Sequence, residues 1–364
     1  MAILVLALAA LLAFANGAND NGKGVATLVG HGAASPRLAL GWAAITTALG
    51  ALVGILASDG LVRAFRAGFV GDGAELPPRF FAAALAGAVA WVLFATRSGL
   101  PVSTTHAILG GLVGAGLYEV GAAQIGWAVL AQKAALPLLA SPLVALALVF
   151  AAAQPLAALA RRTESRCLCA VETLEPLGAG EVTVARSRLA IVTGDAAGCA
   201  VHSPTASMTG RGVAQTLHWG TSGLVGFARG WNDTPKIAAL ALVVLPAGSG
   251  TFGAFVLVAA AMALGGLFAG RRVLTTLSER ITAMPLGESL AASGVSSILV
   301  GLASWQGLSV STTHVTTGGI VGAGIARSAQ EVRWPVVRDV ALSWIVTLPA
   351  AAVVALLAGL ALNR

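Results

Sequence analysis

Long apolar stretches separated by short polar breaks run the length of the chain. Leu38–Ala57, Phe80–Thr96, Val129–Ala153, Phe252–Gly270 and Val340–Leu362 are each long enough, as helices, to cross a bilayer. None alternates apolar with polar residues, which excludes a membrane β-barrel. The pattern predicts a first helix to about Phe14, a polar interruption at Asn16–Lys23, and a short continuation to Val29. Spans follow near 38–57 and 80–96, then paired short segments meeting at Ser103–His106, then a long helix over 124–153. From about residue 213 the order recurs: a helix, an interruption at 229–236, and spans near 237–247, 252–270 and 289–304. Paired segments meeting at Ser311–His314 and a last helix near 335–362 complete it. The fold class expected is an all-α polytopic membrane protein.

The recurrence extends to residue identity. Residues 99–117 read GLPVSTTHAILGGLVGAGL and residues 307–325 read GLSVSTTHVTTGGIVGAGI, identical at thirteen of nineteen positions. AxGxNDxxK occurs at Ala15–Lys23 and again at Ala228–Lys236. The chain is an internal duplication, with membrane halves expected at 1–160 and 212–364 around a polar loop at 161–211. Duplicated apolar halves are the mark of a secondary transporter, with solute bound where the halves meet.

Composition agrees. The chain is 57% hydrophobic and only 10% charged, against roughly 25% charge in soluble domains. Its net charge of +7 does not signal nucleic acid, because Arg37, Arg63, Arg66, Arg271 and Arg272 sit singly or in pairs at the ends of apolar runs, as membrane-surface anchors do. The stretches Arg63–Arg66 and Arg271–Arg280 read as interfacial helices. Met1–Ala15 lacks a basic start, and its AFANGAND ending recurs as AFARGWND deep in the chain, so it reads as a working helix, not a signal peptide.

The sharper motif is Asn-Asp-x-x-Lys. A lone charge in hydrocarbon costs several kcal/mol, so Asp20 with Lys23, and Asp233 with Lys236, are expected to pair on one helical face. Side-chain oxygens of Asn19, Asp20, Asn232 and Asp233 suit a small hard cation; a structural ion pair is the plainer reading. Lys236 follows Pro235 and Lys23 follows Gly22, which predicts unequal behaviour of the two lysines.

Ser103-Thr104-Thr105 and Ser311-Thr312-Thr313 each precede a Gly-rich apolar helix. Hydroxyls at a helix N-terminus either cap it or, with free N–H groups, form an oxyanion site without permanent charge. His106 and His314 follow as accessory residues and read as structural. The trailing GGLVGAG and GGIVGAG read as close helix packing. In the central loop, Cys167, Cys169, Cys199 and His202 could supply four ligands to Zn²⁺. Free thiols in a cytoplasmic loop are the first competing reading and a disulfide the second, with Arg161, Arg162 and Arg166 after a span favouring the cytoplasmic side. Within the same loop Glu181–Val184 and Leu189–Val192 read as strand-like, which suits a small folded appendage.

With GANDNGKG at 17–24, GWNDTPKI at 230–237 and both VSTTH segments in hand, the chain resembles the inorganic phosphate transporter (PiT) family over both membrane halves. The resemblance implies two inverted repeats with broken helices and re-entrant helical hairpins, each hairpin tipped by a Ser/Thr segment. It implies sodium- or proton-coupled phosphate symport, with essential acids at Asp20 and Asp233 beside Asn19 and Asn232. Oxyanion ligands would be Ser103, Thr104, Thr105, Ser311, Thr312 and Thr313. Many relatives carry small uncharged residues where this chain has Asn21-Gly22-Lys23.

The reading is therefore a cation-coupled (Na⁺ or H⁺) phosphate importer, multi-pass in a prokaryotic plasma membrane, and not an enzyme. Its partners are phosphate, the coupling cation and the bilayer, with a homodimer as a further option. No cofactor is expected, and no GxxxxGK[ST] nucleotide fingerprint is present. A sulfate or related oxyanion permease is the rival. An intramembrane serine hydrolase using Ser103, His106 and Asp20 is a remote one.

Overall fold

The structure is a computed structural model of the chain. It describes residues 1–56, 60–62, 65, 70, 76–132, 136–177, 184–201, 206–246 and 249–363. Its main helices are α1 (Ala2–Gly30), α2 (Pro36–Gly54), α3 (Pro78–Arg97), α4 (Thr104–Glu119), α5 (Leu136–Glu164), α6 (Gly210–Ala241), α7 (Ser249–Ala269), α8 (Arg271–Glu279), α9 (Leu286–Trp305), α10 (Thr312–Arg327) and α11 (Trp334–Leu362). Among the described residues, seven helices are long and apolar enough to cross a membrane: α1, α2, α3, α5, α7, α9 and α11. The protein is a mostly helical, multi-pass membrane protein. Helix α6, at 32 residues, is longer but more polar, carrying Arg229, Asp233 and Lys236.

Both polar motifs lie inside continuous helices. The interruptions expected at Asn16–Lys23 and 229–236 do not occur, and 237–247 is no separate span, because α6 runs on to Ala241. The reason is local. The motif side chains satisfy one another and the opposite half, so the helical backbone keeps its own hydrogen bonds. Even Pro235 sits within α6.

The paired segments are longer than expected: α3 itself forms one arm of a hairpin with α4, and α9 forms one with α10. Each first arm ends in the same turn. Gly99 (φ 71°) and Gly307 (φ 68°) adopt the left-handed conformation. Leu100 N–H then donates to the Ala95 carbonyl at 2.9 Å, and Leu308 N–H to that of Ala303 at 2.8 Å. This αL stop closes a helix and frees the chain to reverse. Of the helix expected over 124–153, the described residues include a short helix at Trp127–Leu130 and the long α5 from Leu136, which runs past 153 to Glu164.

The Gly-rich runs bear out the packing reading. A methyl group on Gly110 or Gly114 of α4 would stand 2.2 or 2.0 Å from backbone oxygens of α11. One on Gly318 or Gly322 of α10 would stand 2.3 or 2.5 Å from those of α5. Helix α1 lies antiparallel to α6: Thr27 bonds His218, Asn21 bonds Arg229, and Asn16 bonds Asp233. The apolar core divides accordingly. One cluster joins the start of α1 to the end of α6 and to α3 and α4; the other joins the end of α1 to α5, α8 and α10.

The central region is mostly sheet, with a short helix at Ala196–Val201, which corrects the all-α expectation. Strands β1 (Arg166–Leu177), β2 (Val184–Asp195) and β3 (Ala206–Thr209) form an antiparallel sheet in the order β2-β1-β3. Cys167 and Cys169, two apart on β1, share a face, with sulfurs 3.7 Å from each other. Cys169 is paired with Cys199 as a disulfide and Cys167 is free. The disulfide departs from the free-thiol reading for Cys169 and Cys199, while the three sulfurs all lie within 4.8 Å of one another, as three of the four expected zinc ligands would. His202 lies outside the described residues, as do Arg63 and Arg66. Arg271–Arg280 does form the short helix α8.

Candidate functional site

The motif side chains converge where α1 and α6 cross beside both hairpin tips. Residues three and four apart share one helical face, so α1 presents Asn16, Asp20 and Lys23 together and α6 presents Arg229, Asp233 and Lys236. All are buried. The Asn16 amide joins the two halves, donating to Asp20 Oδ2 at 3.1 Å and to Asp233 Oδ2 at 3.3 Å.

The lysines reach the hairpin tips. Lys23 Nζ donates to Asp20 Oδ1, to Thr313 Oγ1, and to the Val102 carbonyl at 2.7 Å. Lys236 Nζ donates to Asn232 Oδ1, to Thr105 Oγ1 at 2.9 Å and to the Val310 carbonyl at 3.1 Å, and lies 3.4 Å from Asp233 Oδ1. The contacts are unequal in the direction expected from Gly22 and Pro235: Lys23 closes directly on Asp20, whereas the nearest oxygen to Lys236 is that of Asn232 and Asp233 stands 3.4 Å away. Each ammonium bonds its own aspartate, a carbonyl of its own half and a threonine of the other half.

The hairpin tips explain why those carbonyls are free. Ser103 and Ser311 are extended (φ −90°, ψ 113° and φ −97°, ψ 114°) and cap α4 and α10. Their hydroxyls accept from the N–H of His106 at 3.2 Å and of His314 at 3.3 Å. The chain before each cap is not helical, so the carbonyls of Val102 and Val310 have no intrahelical donor. Thr104 Oγ1 lies 3.5 Å from Asp20 Oδ2, and Thr312 is buried at the matching place. The structure thus brings together Asp20, Asp233, both lysines and the threonines of both tips.

Asn19 and Asn232 are engaged differently. Asn19 Nδ2 donates to Thr96 Oγ1 and to the Leu100 carbonyl, both at 3.0 Å, while its Oδ1 accepts from Val102 N–H at 3.1 Å. Asn232 Nδ2 donates to Ser304 Oγ at 3.1 Å. Both asparagines thereby tie a motif helix to the hairpin arm beside it. The rings of His106 and His314 lie 4.8 Å apart, and His314 Nδ1 is 2.8 Å from the Leu138 carbonyl. Cys167, Cys169 and Cys199 lie apart from all of this, in the sheet region.

Sequence reasoning missed Arg229. Fully buried, it donates to Asn16 Oδ1 at 2.6 Å, to Asn21 Oδ1 and to Thr47 Oγ1 at 2.9 Å, and stands 3.7 Å from Asp233 Oδ2. The signal was present: AFARGWND sets Arg229 where AFANGAND has Asn16. The sole departure in charge within the repeated motif falls at the centre. Formally, three cations (Lys23, Lys236, Arg229) face two carboxylates (Asp20, Asp233), a surplus of one positive charge.

A cavity of about 820 Å³ opens beside the first tip, lined by Thr96, Gly99, Thr276 and four arginines, Arg97, Arg271, Arg272 and Arg280. Its wall is fixed to the tip, since Thr276 Oγ1 donates to the Gly99 carbonyl at 2.8 Å. Thr96, on the same wall, holds Asn19. A cleft lined by one sign of charge concentrates the opposite ion.

The chain is similar to known proteins along nearly its whole length. A solved structure titled the sodium-dependent phosphate transporter superposes with a TM-score of 0.77, covering 100% of this chain and 98% of the other at 23% identity. The "Probable low-affinity inorganic phosphate transporter" of Rhizobium meliloti (strain 1021) is 29% identical over 361 residues, 97% of this chain and 94% of its own. A protein of the same name from Mycobacterium tuberculosis (strain ATCC 25618 / H37Rv) is 28% identical, over 97% of this chain and 75% of its own. The family model described as the phosphate transporter family matches residues 16–355, and with them both motifs and both hairpin tips. The chain belongs to the phosphate transporter family, a family of transporters and not of enzymes.

Proposed function

We propose that this chain is a cation-coupled phosphate symporter, driven by Na⁺ or H⁺, that imports phosphate across a prokaryotic plasma membrane. The observation that carries the reading is the meeting of both hairpin tips at one buried cluster built from both halves. A solute held there is reached from either side by small movements of the halves, as alternating access requires. The oxyanion binds between the N-termini of α4 and α10, where Thr104 and Thr312 supply hydroxyls and the helix ends supply N–H groups and positive dipole. Asp20 and Asp233 hold cationic charge against the anion.

Two inverted repeats, 1–160 and 212–364, provide this arrangement, with residues 161–211 as an appendage. Support comes from the antiparallel α1–α6 pairs and from the matched turns at Gly99 and Gly307. The bacterial relatives named for phosphate favour it over sulfate. The test is uptake of labelled phosphate into proteoliposomes under imposed gradients. Accumulation above equilibrium with an inward Na⁺ or H⁺ gradient is the expected result. Equilibration without accumulation under both gradients would make the protein a channel and overturn the reading.

A further inference from the structure

We infer that Lys23 and Lys236 are tethered cations occupying two hard-cation positions, so that phosphate binding by this chain needs no sodium. The inference rests on the phosphate reading above and refines its charge balance.

The ligands of each ammonium carry the argument. Lys23 Nζ is surrounded by a carboxylate, a backbone carbonyl and a threonine hydroxyl. Lys236 Nζ has the same three types and an amide oxygen besides. All are hard oxygen donors, the class that sodium and calcium ions take. The two sets are drawn from both halves in matched fashion. Lys23 comes from α1 and takes Thr313 from α10; Lys236 comes from α6 and takes Thr105 from α4. A structural ion pair needs its aspartate only. These lysines also bond the carbonyls that lack an intrahelical donor, Val102 and Val310, the first of which accepts from Thr313 Oγ1 as well, at 2.8 Å. An ammonium has three donors and no acceptor, and each of these lysines has three or more oxygen partners.

A tethered charge differs from a bound ion in two ways. It is present at any external sodium concentration, and it surrenders no translational freedom on arrival. With Arg229 the cluster already holds one positive charge beyond its two carboxylates. A monoanionic oxyanion beside it meets net attraction with no co-bound metal ion. Among the two coupling ions proposed, sodium finds its oxygen ligands already engaged, which leaves the proton to drive uptake.

The test uses the purified full-length protein and two radioligands. Labelled phosphate is bound in choline medium and in sodium medium. Wild-type affinity should change by less than about threefold between them, well under 1 kcal/mol. Lys23→Ala and Lys236→Ala should each lose at least about thirtyfold in choline, the scale of truncating a buried charge partner. Sodium should restore at least about tenfold of that loss. Labelled sodium gives a readout independent of phosphate: each variant should gain a bound sodium that the wild type lacks. A more than about tenfold fall in wild-type affinity on removing sodium would overturn the inference. Equal sodium binding by the wild type and both variants would overturn it as well. Sodium gained by the variants, with no phosphate bound by any form in either medium, would support the tethered cations and refute the phosphate reading instead. The wild-type arm decides the question even if a variant does not fold.

Discussion

Replacing glycine by alanine should have opposite effects at Gly17 and Gly41. Both lie inside apolar helices. A methyl at Gly17 would stand 1.9 Å from the carbonyl oxygen of Met262 in α7, whereas one at Gly41 meets nothing within 4 Å. Ordinary contact begins near 3.4 Å, so α1 and α7 would have to part by about 1.5 Å in a close-packed interior. The obstacle is backbone and cannot rotate aside. Overpacking costs about 1–3 kcal/mol, and a backbone clash takes the upper part of that range. Removing a mid-helix glycine returns about 0.5–1 kcal/mol. Gly17→Ala is therefore destabilised by about 1–2 kcal/mol net, while Gly41→Ala gains about 0.5–1 kcal/mol. Because Asn16 adjoins Gly17, the shift would also strain the bridge between Asp20 and Asp233. Denaturation of the detergent-purified proteins, followed by the fraction remaining monodisperse on size exclusion, reads the difference. Gly17→Ala as stable as Gly41→Ala would refute the close approach of α1 and α7.

Asp20→Asn and Asp233→Asn should each abolish gradient-driven phosphate uptake while eluting as folded protein; near-normal uptake by either would remove that carboxylate from the mechanism. Thr104→Val with Thr312→Val should weaken phosphate binding by about 1.5–3 kcal/mol for each lost hydrogen bond to a charged ligand. Unchanged affinity would leave those hydroxyls as structural groups. Replacing Arg271, Arg272 and Arg280 by Gln should lower the apparent on-rate for phosphate at low ionic strength and converge on wild type at high salt, where the field is screened. A loss independent of salt would show that these arginines act by packing.

Much of the architecture was legible because burial in lipid leaves a strong signature. The apolar runs locate the helices, and the repeated VSTTH and NDxxK segments identify the residues that meet at the centre. Helix continuity was not legible. A polar cluster inside an apolar run reads as a break when its partners are unknown, and here they come from more than 200 positions away, as Asn16 with Asp233 shows. The contacts of Asn19 and Asn232 were hidden for the same reason: an asparagine beside an aspartate suits cation ligation as well as it suits clamping a distant hairpin. Arg229 was visible only as a mismatch between two otherwise similar motifs. The sheet was half legible, since Leu189–Val192 looks strand-like, but β1 contains the cysteines and reads equally as loop.

The central claim is that one site, shared by both hairpin tips, carries phosphate by alternating access. Counterflow in proteoliposomes tests it most directly, with labelled phosphate outside and unlabelled phosphate, sulfate or neither inside, and no ion gradient. The account predicts that internal phosphate drives a transient overshoot of label and that internal sulfate does not. Label that equilibrates without overshoot, or that responds equally to sulfate, would contradict it.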